Sequence, residues 1–263
     1  MRHLKYLKTK KGRDESGMFI IEGEKFVQEI PDAWRVVQYV IANRYAAANN
    51  IAPYEARARC DVVRDSIFDS LADTISPQGI IAVCEKKAWT LDDLCANEVV
   101  RENVKTRFFE ATFILLGENL NDPGNIGALI RTAAAAGAHG VILAHGGDIY
   151  NPKVLRAAAG AVLRLPCITD ISLEEAAEWL SQKNIPIHAA HPRGEKSPYQ
   201  LDLCANFCLL VGNESHGISD AAASLASSLV TLPMANDTES LNASVAGSIL
   251  MYEAVRQRRG GAQ

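Results

Sequence analysis

Gly117-Glu118-Asn119-Leu120-Asn121-Asp122-Pro123-Gly124-Asn125-Ile126-Gly127-Ala128-Leu129-Ile130-Arg131-Thr132-Ala133 is the stretch on which the fold turns. An apolar run, Phe113 to Leu116, leads into it, and the run ends in a polar, glycine-rich loop. A helix of small residues opens near Asn125 and is expected over Ile126–Ala136, with one charge, Arg131, among alanines and aliphatics. Open α/β sheets bind ligands beyond the carboxyl ends of their strands. Asn125 in the mouth of the loop and Arg131 a turn further in could therefore border one pocket. The plainer alternative is a capped turn, with Asn125 as N-cap and Arg131 in a structural ion pair. The glycines make neither a P-loop, which needs Gly-Lys-Ser/Thr, nor the Gly-x-Gly-x-x-Gly of dinucleotide sites.

Outward from this stretch the chain alternates strand and helix. Strands are expected at Phe113–Leu116, Val141–Ala144, Ile185–Ala189, Phe207–Val211 and Val230–Leu232. Helices are expected at Ile126–Ala136, Lys153–Ala161, Leu173–Gln182, Asp220–Leu225 and Leu241–Arg258. Short apolar strands alternating with helices imply a mostly parallel sheet covered on both faces. Residues 101–263 form this domain. Residues 1–100 read as a smaller α/β unit, with strands around Met18–Ile21, Val36–Ile41, Val62–Val63 and Gly79–Val83. The polar segment Leu91–Arg107, with a helix in it, is the linker.

The 263 residues are 48% hydrophobic and 22% charged, the profile of a globular protein with a substantial core. A net charge of -4 argues against wholesale nucleic-acid binding, yet residues 1–13 hold Arg2, Lys5, Lys8, Lys10, Lys11 and Arg13 with no acid among them. Such an arm could meet phosphate, or simply be a solvated helix face. The six cysteines form no Cys-x-x-Cys pair and the six histidines show no ligand spacing, so no zinc or other metal site is expected. No signal-peptide core follows the basic start, and no apolar run reaches the ~18 residues of a membrane span. A reducing cytoplasm is the expected compartment.

Two later stretches repeat the pattern of strand running into polar loop. Leu209-Leu210-Val211 runs into Gly212-Asn213-Glu214-Ser215-His216-Gly217-Ile218. Ser215 and His216 invite a hydrolase reading, but a nucleophile elbow needs Gly-x-Ser-x-Gly and Ser215 is three residues from Gly212. Glu214 could sit on a helix start or anchor a ligand or Arg131. Leu232-Pro233-Met234 then leads to Ser240-Leu241-Asn242-Ala243-Ser244-Val245-Ala246, where Ser240 or Asn242 could cap a helix. That last helix is apolar or small nearly all round, so it either threads the domain or packs on a second subunit. Its tail, Arg256 to Arg259, could also meet phosphate.

Together the three stretches resemble the motifs of the SpoU (TrmH-like) RNA ribose 2'-O-methyltransferases of the SPOUT superfamily. Asp122-Pro123-Gly124-Asn125-Ile126-Gly127 with Arg131-Thr132-Ala133 looks like the first motif. Gly212 to Gly217 looks like the second, and Leu232-Pro233-Met234 with Ser240 to Ala246 like the third. Lys10-Lys11-Gly12-Arg13 through Phe19-Ile20-Ile21-Glu22-Gly23 resembles the RNA substrate-binding domain that precedes the catalytic domain in many members. The resemblance implies an α/β fold with a trefoil knot at its C-terminal end, preceded by a ribosomal-protein L30e-like domain. It also implies S-adenosylmethionine as cofactor and a homodimer. Gly212, Ile218, Leu232, Met234 and Leu241 would line the cofactor pocket. Asn125, Arg131, Glu214, Ser240 and Asn242 would form the catalytic site, and Lys10, Lys11 and Arg13 would contact RNA.

The chemistry suits that set. A ribose 2'-hydroxyl develops oxyanion character as it attacks a methylsulfonium, and a nearby cation in a dry pocket stabilises it. The family's proposals make the arginine a general base. A pKa above about 12 makes that costly at neutral pH, so electrostatic stabilisation and phosphate positioning by Arg131 stand beside it. Asn125 and Glu214 would hold its guanidinium, or Asn125 the ribose. The additional N-terminal domain, able to grip a folded RNA by shape, favours ribosomal over transfer RNA. The rival expectation is an RNA-binding protein of the same fold without catalysis.

Overall fold

A computed structural model describes residues 2–96, 111–236 and 240–260. The described residues divide into two units, one within Met1–Ala88 and Tyr150–Leu163, the other within Trp89–Ile149 and Arg164–Gln263.

In the first unit, β1 (Met18–Glu22), β2 (Val36–Ala42), β3 (Arg59–Val63) and β4 (Ile80–Glu85) form a mixed sheet in the order β1-β4-β2-β3. β4 runs antiparallel to both neighbours, and β2 and β3 are parallel. Helices α1 (Arg2–Leu7), α2 (Lys10–Ser16), α3 (Glu24–Gln28), α4 (Asn43–Ala48), α5 (Ala52–Arg57) and α6 (Asp65–Leu71) accompany it. A segment far along the chain, with helix α9 (Pro152–Ala158), belongs to this unit as well: the Tyr150 ring lies 4.5 Å from that of Phe19, and Trp34 Nε1 donates to the Leu163 carbonyl at 2.8 Å.

The basic arm is helical. Lys10 and Lys11 are exposed, and Lys11 lies 3.7 Å from Glu15. Arg13 corrects the expectation of an RNA contact: it is 1% exposed, and its Nη1 donates to the carbonyls of Leu7 (2.9 Å) and Lys8 (2.8 Å). Those carbonyls end α1 and have no partner within the helix, so a buried guanidinium satisfies them.

The second unit is built on six strands, all parallel: β5 (Phe113–Glu118), β6 (Gly140–Ala144), β7 (Cys167–Ile171), β8 (Ile187–Ala190), β9 (Phe207–Val211) and β10 (Ser228–Val230), in the order β10-β8-β9-β5-β6-β7. β5, β6 and β9 are buried along their whole length, as their mostly apolar text suits, with Glu118 at the end of β5 a buried exception. Helices α7 (Asp93–Ala96), α8 (Pro123–Ala136), α10 (Leu173–Gln182), α11 (Asp220–Leu225) and α12 (Ala243–Gly260) complete it. The linker expectation beyond residue 96 lies outside the described residues. No described helix is long and apolar enough to cross a membrane.

α12 differs from the expectation. It is not buried all round: Ser244, Gly247, Leu250, Met251, Ala254 and Arg258 face inward, while Val245, Ile249 and Tyr252 stand 46%, 44% and 53% exposed. Part of its tail is engaged within the chain, with Arg256 exposed and Arg258 buried. Arg256 pairs with Glu253 at 2.7 Å, and Arg258 donates to the carbonyls of Leu203 and Ala205.

Candidate active site

The register of the central strands assembles the site. β5 and β9 are neighbours and pair Gly117 with Val211, so the loops that follow them emerge side by side. β8 and β10 lie next along the sheet and release their loops at the same edge.

The first loop ends in a helix that starts earlier than expected. Asp122, not Asn125, is the N-cap of α8, its carboxylate accepting from the Asn125 N–H at 2.8 Å, with Pro123 in the first turn. Proline there loses no hydrogen bond and presets φ for the helix. Because Asp122 satisfies the backbone, the Asn125 side chain is free to reach outward. Its Nδ2 donates to Glu214 Oε1 at 2.9 Å, and its Oδ1 accepts from Asn242 Nδ2 at 3.0 Å and lies 3.1 Å from Ser244 Oγ. One asparagine thus joins residues from all three stretches.

Asn242 caps α12: its Oδ1 accepts from the N–H groups of Ser244 (2.9 Å) and Val245 (3.3 Å). The capping reading and the site reading of Asn242 hold together, because its amide oxygen serves the helix and its NH2 serves Asn125. Ser240 is exposed beside the cavity. Arg131 departs from the arrangement expected of it. It is exposed, has no hydrogen-bond or ion-pair partner among the described residues, and is not held by Asn125 or Glu214, which pair with each other. Six helical residues turn through about 600°, which leaves Arg131 roughly 120° around α8 from Asn125.

The second loop is closed on itself. Asn213 and Gly217 exchange both backbone hydrogen bonds, at 2.9 and 2.8 Å, with Gly217 at a φ of +70°. The Asn213 side chain ties it down, donating to the Asn119 carbonyl at 2.9 Å and accepting from Ser215 N at 2.9 Å and His216 N at 3.2 Å. Any side chain at Gly212 would run into Gly217 and Ile218 backbone within 2.4 Å. His216 Nδ1 lies 3.2 Å from Asn213 Oδ1, and no hydrogen bond links it to Ser215, so the serine and histidine form no nucleophile pair.

Against this loop lies a cavity of about 320 Å³. Gly212, Ile218, Leu232, Met234 and Leu241 all line it, as do Glu214 and Ser240. Its size suits a small organic ligand, and its mix of apolar walls with a few polar groups suits a molecule with an aromatic body and polar ends. The adenosyl and amino-acid parts of S-adenosylmethionine fit that description. Asn125, Arg131 and Asn242 are not among the lining residues; they stand beyond it.

Sequence reasoning missed one whole wall. His191, Pro192 and Arg193 follow β8 and line the cavity with Thr231. Thr231 Oγ1 donates to the Pro192 carbonyl at 3.0 Å, and Arg193 N to His191 Nδ1 at 3.1 Å. The carboxyl end of an expected strand was the available signal. Ser244 and Asn213 were also missed, since each looks like a simple polar helix or loop residue. Among the described residues no cluster could hold a metal ion.

The model of the SpoU rRNA Methylase family matches residues 112–252, and that of an MRM3-like substrate binding domain matches residues 1–82. The chain is 30% identical over 250 residues to the 23S rRNA (guanosine(2553)-2'-O)-methyltransferase RlmP of Bacillus subtilis, covering 94% of this chain and 92% of that one. It is 35% identical over 192 residues to a 23S rRNA (uridine(2479)-2'-O)-methyltransferase of Streptomyces viridochromogenes, covering 71% of this chain and 63% of the relative. Among solved structures, the SpoU methyltransferase AviRb from Streptomyces viridochromogenes in complex with AdoMet superposes with a TM-score of 0.84 at 27% identity, covering 98% of this chain and 97% of that one.

Proposed function

The chain belongs to the SpoU rRNA methylase family, and on that footing we propose that it transfers a methyl group from S-adenosylmethionine to a ribose 2'-hydroxyl of ribosomal RNA. The observation that carries this reading is Asn125, whose side chain joins Glu214, Asn242 and Ser244 at the edge of the cavity. Relatives named for 23S ribosomal RNA favour that RNA over transfer RNA.

When bound, the cofactor supplies a methyl group on positively charged sulfur. Gly212, Ile218, Leu232, Met234 and Leu241 hold it, with His191, Arg193 and Thr231 as polar contacts. Asn125, fixed through both ends of its amide, keeps the Glu214 loop and the start of α12 at one spacing and orients the ribose. Ser240 and Asn242 set the geometry of the third loop. Arg131, unpaired, is open to the RNA, where its charge stabilises the developing oxyanion or the adjacent phosphate.

The N-terminal unit, matching a substrate-binding domain, grips the RNA, with Lys10 and Lys11 but not Arg13 available for phosphate. The trefoil knot and the L30e-like character of that unit belong to the same reading. So does a homodimer, supported by the exposed Val245, Ile249 and Tyr252 at i, i+4, i+7 on α12. The site of action is the cytoplasm, where ribosomal RNA is processed.

Mapping of 2'-O-methyl groups by mass spectrometry in RNA from cells with and without the gene tests the function. One ribose methyl group should be lost from large-subunit ribosomal RNA and restored by the purified protein with S-adenosylmethionine. Cofactor binding with no methyl group lost from any RNA would instead make this an RNA-binding protein without catalysis.

A further inference from the structure

The loop that forms one wall of the cofactor cavity is held at both ends by two consecutive residues, the last of β5 and the one after it. At its start, Asn213 Nδ2 donates to the carbonyl of Asn119 at 2.9 Å. At its far end, Ser219 reaches Glu118: Ser219 N–H donates to Oε2 at 2.9 Å and the Ser219 hydroxyl to Oε1 at 2.5 Å. Glu118 is the last residue of β5 and is 3% exposed. Both oxygens of a buried carboxylate are therefore spent on one serine. Such a carboxylate costs free energy unless hydrogen bonds compensate it, and charged acceptors make the stronger ones.

Neither Glu118 nor Ser219 lines the cavity. What they fix is the residue next door: Ile218, a cavity wall, immediately precedes Ser219, and its N–H lies against Gly212 so closely that a Cβ there would be 2.4 Å away. Holding Ser219 thus holds Ile218, and through the closed 213–217 turn it holds the wall opposite Gly212. Ser219 is also the N-cap of α11, its Oγ accepting from Ala222 N at 3.1 Å, so the clamp is continuous with a regular element.

We propose that Glu118 is a positioning residue for the methyl donor: by clamping Ser219 it sets the shape of the 212–219 loop, and with it cofactor affinity, without contributing to RNA affinity. This rests on the methyltransferase reading for its ligand but not for the clamp itself.

The test compares the full-length protein with Glu118→Ala and Glu118→Gln, by calorimetric titration with S-adenosylmethionine, filter binding of ribosomal RNA, and amide hydrogen exchange without ligand. Glu118→Ala should weaken cofactor binding about tenfold or more and leave RNA binding within about twofold, since two bonds to a charged acceptor are lost. Glu118→Gln, which keeps the shape and one acceptor, should fall between. Exchange should speed up in residues 212–219 and not in the N-terminal unit. As a control for general loosening, Glu175→Ala removes the capping box of α10 and should lower stability without changing cofactor affinity. Wild-type affinity and wild-type exchange in a folded Glu118→Ala protein overturn the proposal; should that variant fail to fold, the same result in Glu118→Gln does so. A wild-type protein that binds no S-adenosylmethionine removes the methyltransferase reading instead, and the exchange comparison then decides the clamp alone.

Discussion

Arg131 is the residue whose surroundings least resemble what its neighbours in sequence suggested. A lone charge in an alanine-rich helix calls for a partner, and Glu214 was the obvious one. Glu214 is taken by Asn125 instead, leaving the guanidinium exposed and, among the described residues, unpaired. A side chain that stabilises nothing in the folded protein can be removed at little cost to stability. Arg131→Ala should therefore melt within about 1 °C of wild type, bind S-adenosylmethionine normally, and lose methyl transfer by two or more orders of magnitude, on the order of what one transition-state contact is worth. Ser215→Ala should keep most of its activity. The opposite pair of results, measured with tritiated methyl donor on ribosomal RNA, would sink the mechanism built on Arg131. The identities of the polar residues were legible because the three motifs are distinctive. Their pairings were not, because a hydrogen-bond partner depends on helix phase, and the helix starts at Pro123 rather than Asn125. Arg13 makes the same point: a sequence displays its charge but not the carbonyl ends of α1 that it caps.

At the scale of elements, buried strands were the easiest to read. Phe207–Val211 stands as expected, because a continuous apolar run between polar loops has few other homes. Leu173–Gln182 and Asp220–Leu225 also match, each opened by a serine cap. β7 was missed, since it is an edge strand whose text, Cys-Ile-Thr-Asp-Ile, is only partly buried. β10 ends at Val230, two residues short, and Leu232 is freed to line the cavity. α12 packs closely on its neighbours. A Cβ on Gly247 would stand 2.7 Å from Leu129 of α8 and 3.1 Å from Val211 of β9. Alanine could be absorbed by rotation of the leucine. Gly247→Val should push α12 off the sheet, costing about 1–3 kcal/mol in urea denaturation as overpacking does. Because Ala246 and Leu250 on either side line the cavity, cofactor affinity should fall with it. Unchanged stability would mean that α12 sits further from β9 than the structure has it.

At the scale of the whole molecule, the inner face of α12 is filled by its own chain and its outer face is not. Val245, Ile249 and Tyr252 form one stripe of apolar surface, and scattered single exposures need no explanation whereas an aligned stripe does. Burying such side chains yields about 1.5–3 kcal/mol each, and a stripe that meets its own copy about a two-fold axis gains it twice. The sequence made this helix look apolar all round. Periodicity alone cannot say which apolar face is inside the chain and which is between chains. If the stripe is the dimer contact, Ile249→Glu should place a carboxylate in a closed apolar interface, where it has no partner and desolvation opposes it. Sedimentation velocity at micromolar concentration should then show a single-chain species for Ile249→Glu and twice that mass for the wild type. Val245, Ile249 and Tyr252 do not line the cavity, so the single-chain Ile249→Glu protein should still bind S-adenosylmethionine while its circular dichroism stays native. A wild-type protein that sediments as one chain at every concentration tested would exclude this face as a dimer contact and leave the stripe for the RNA.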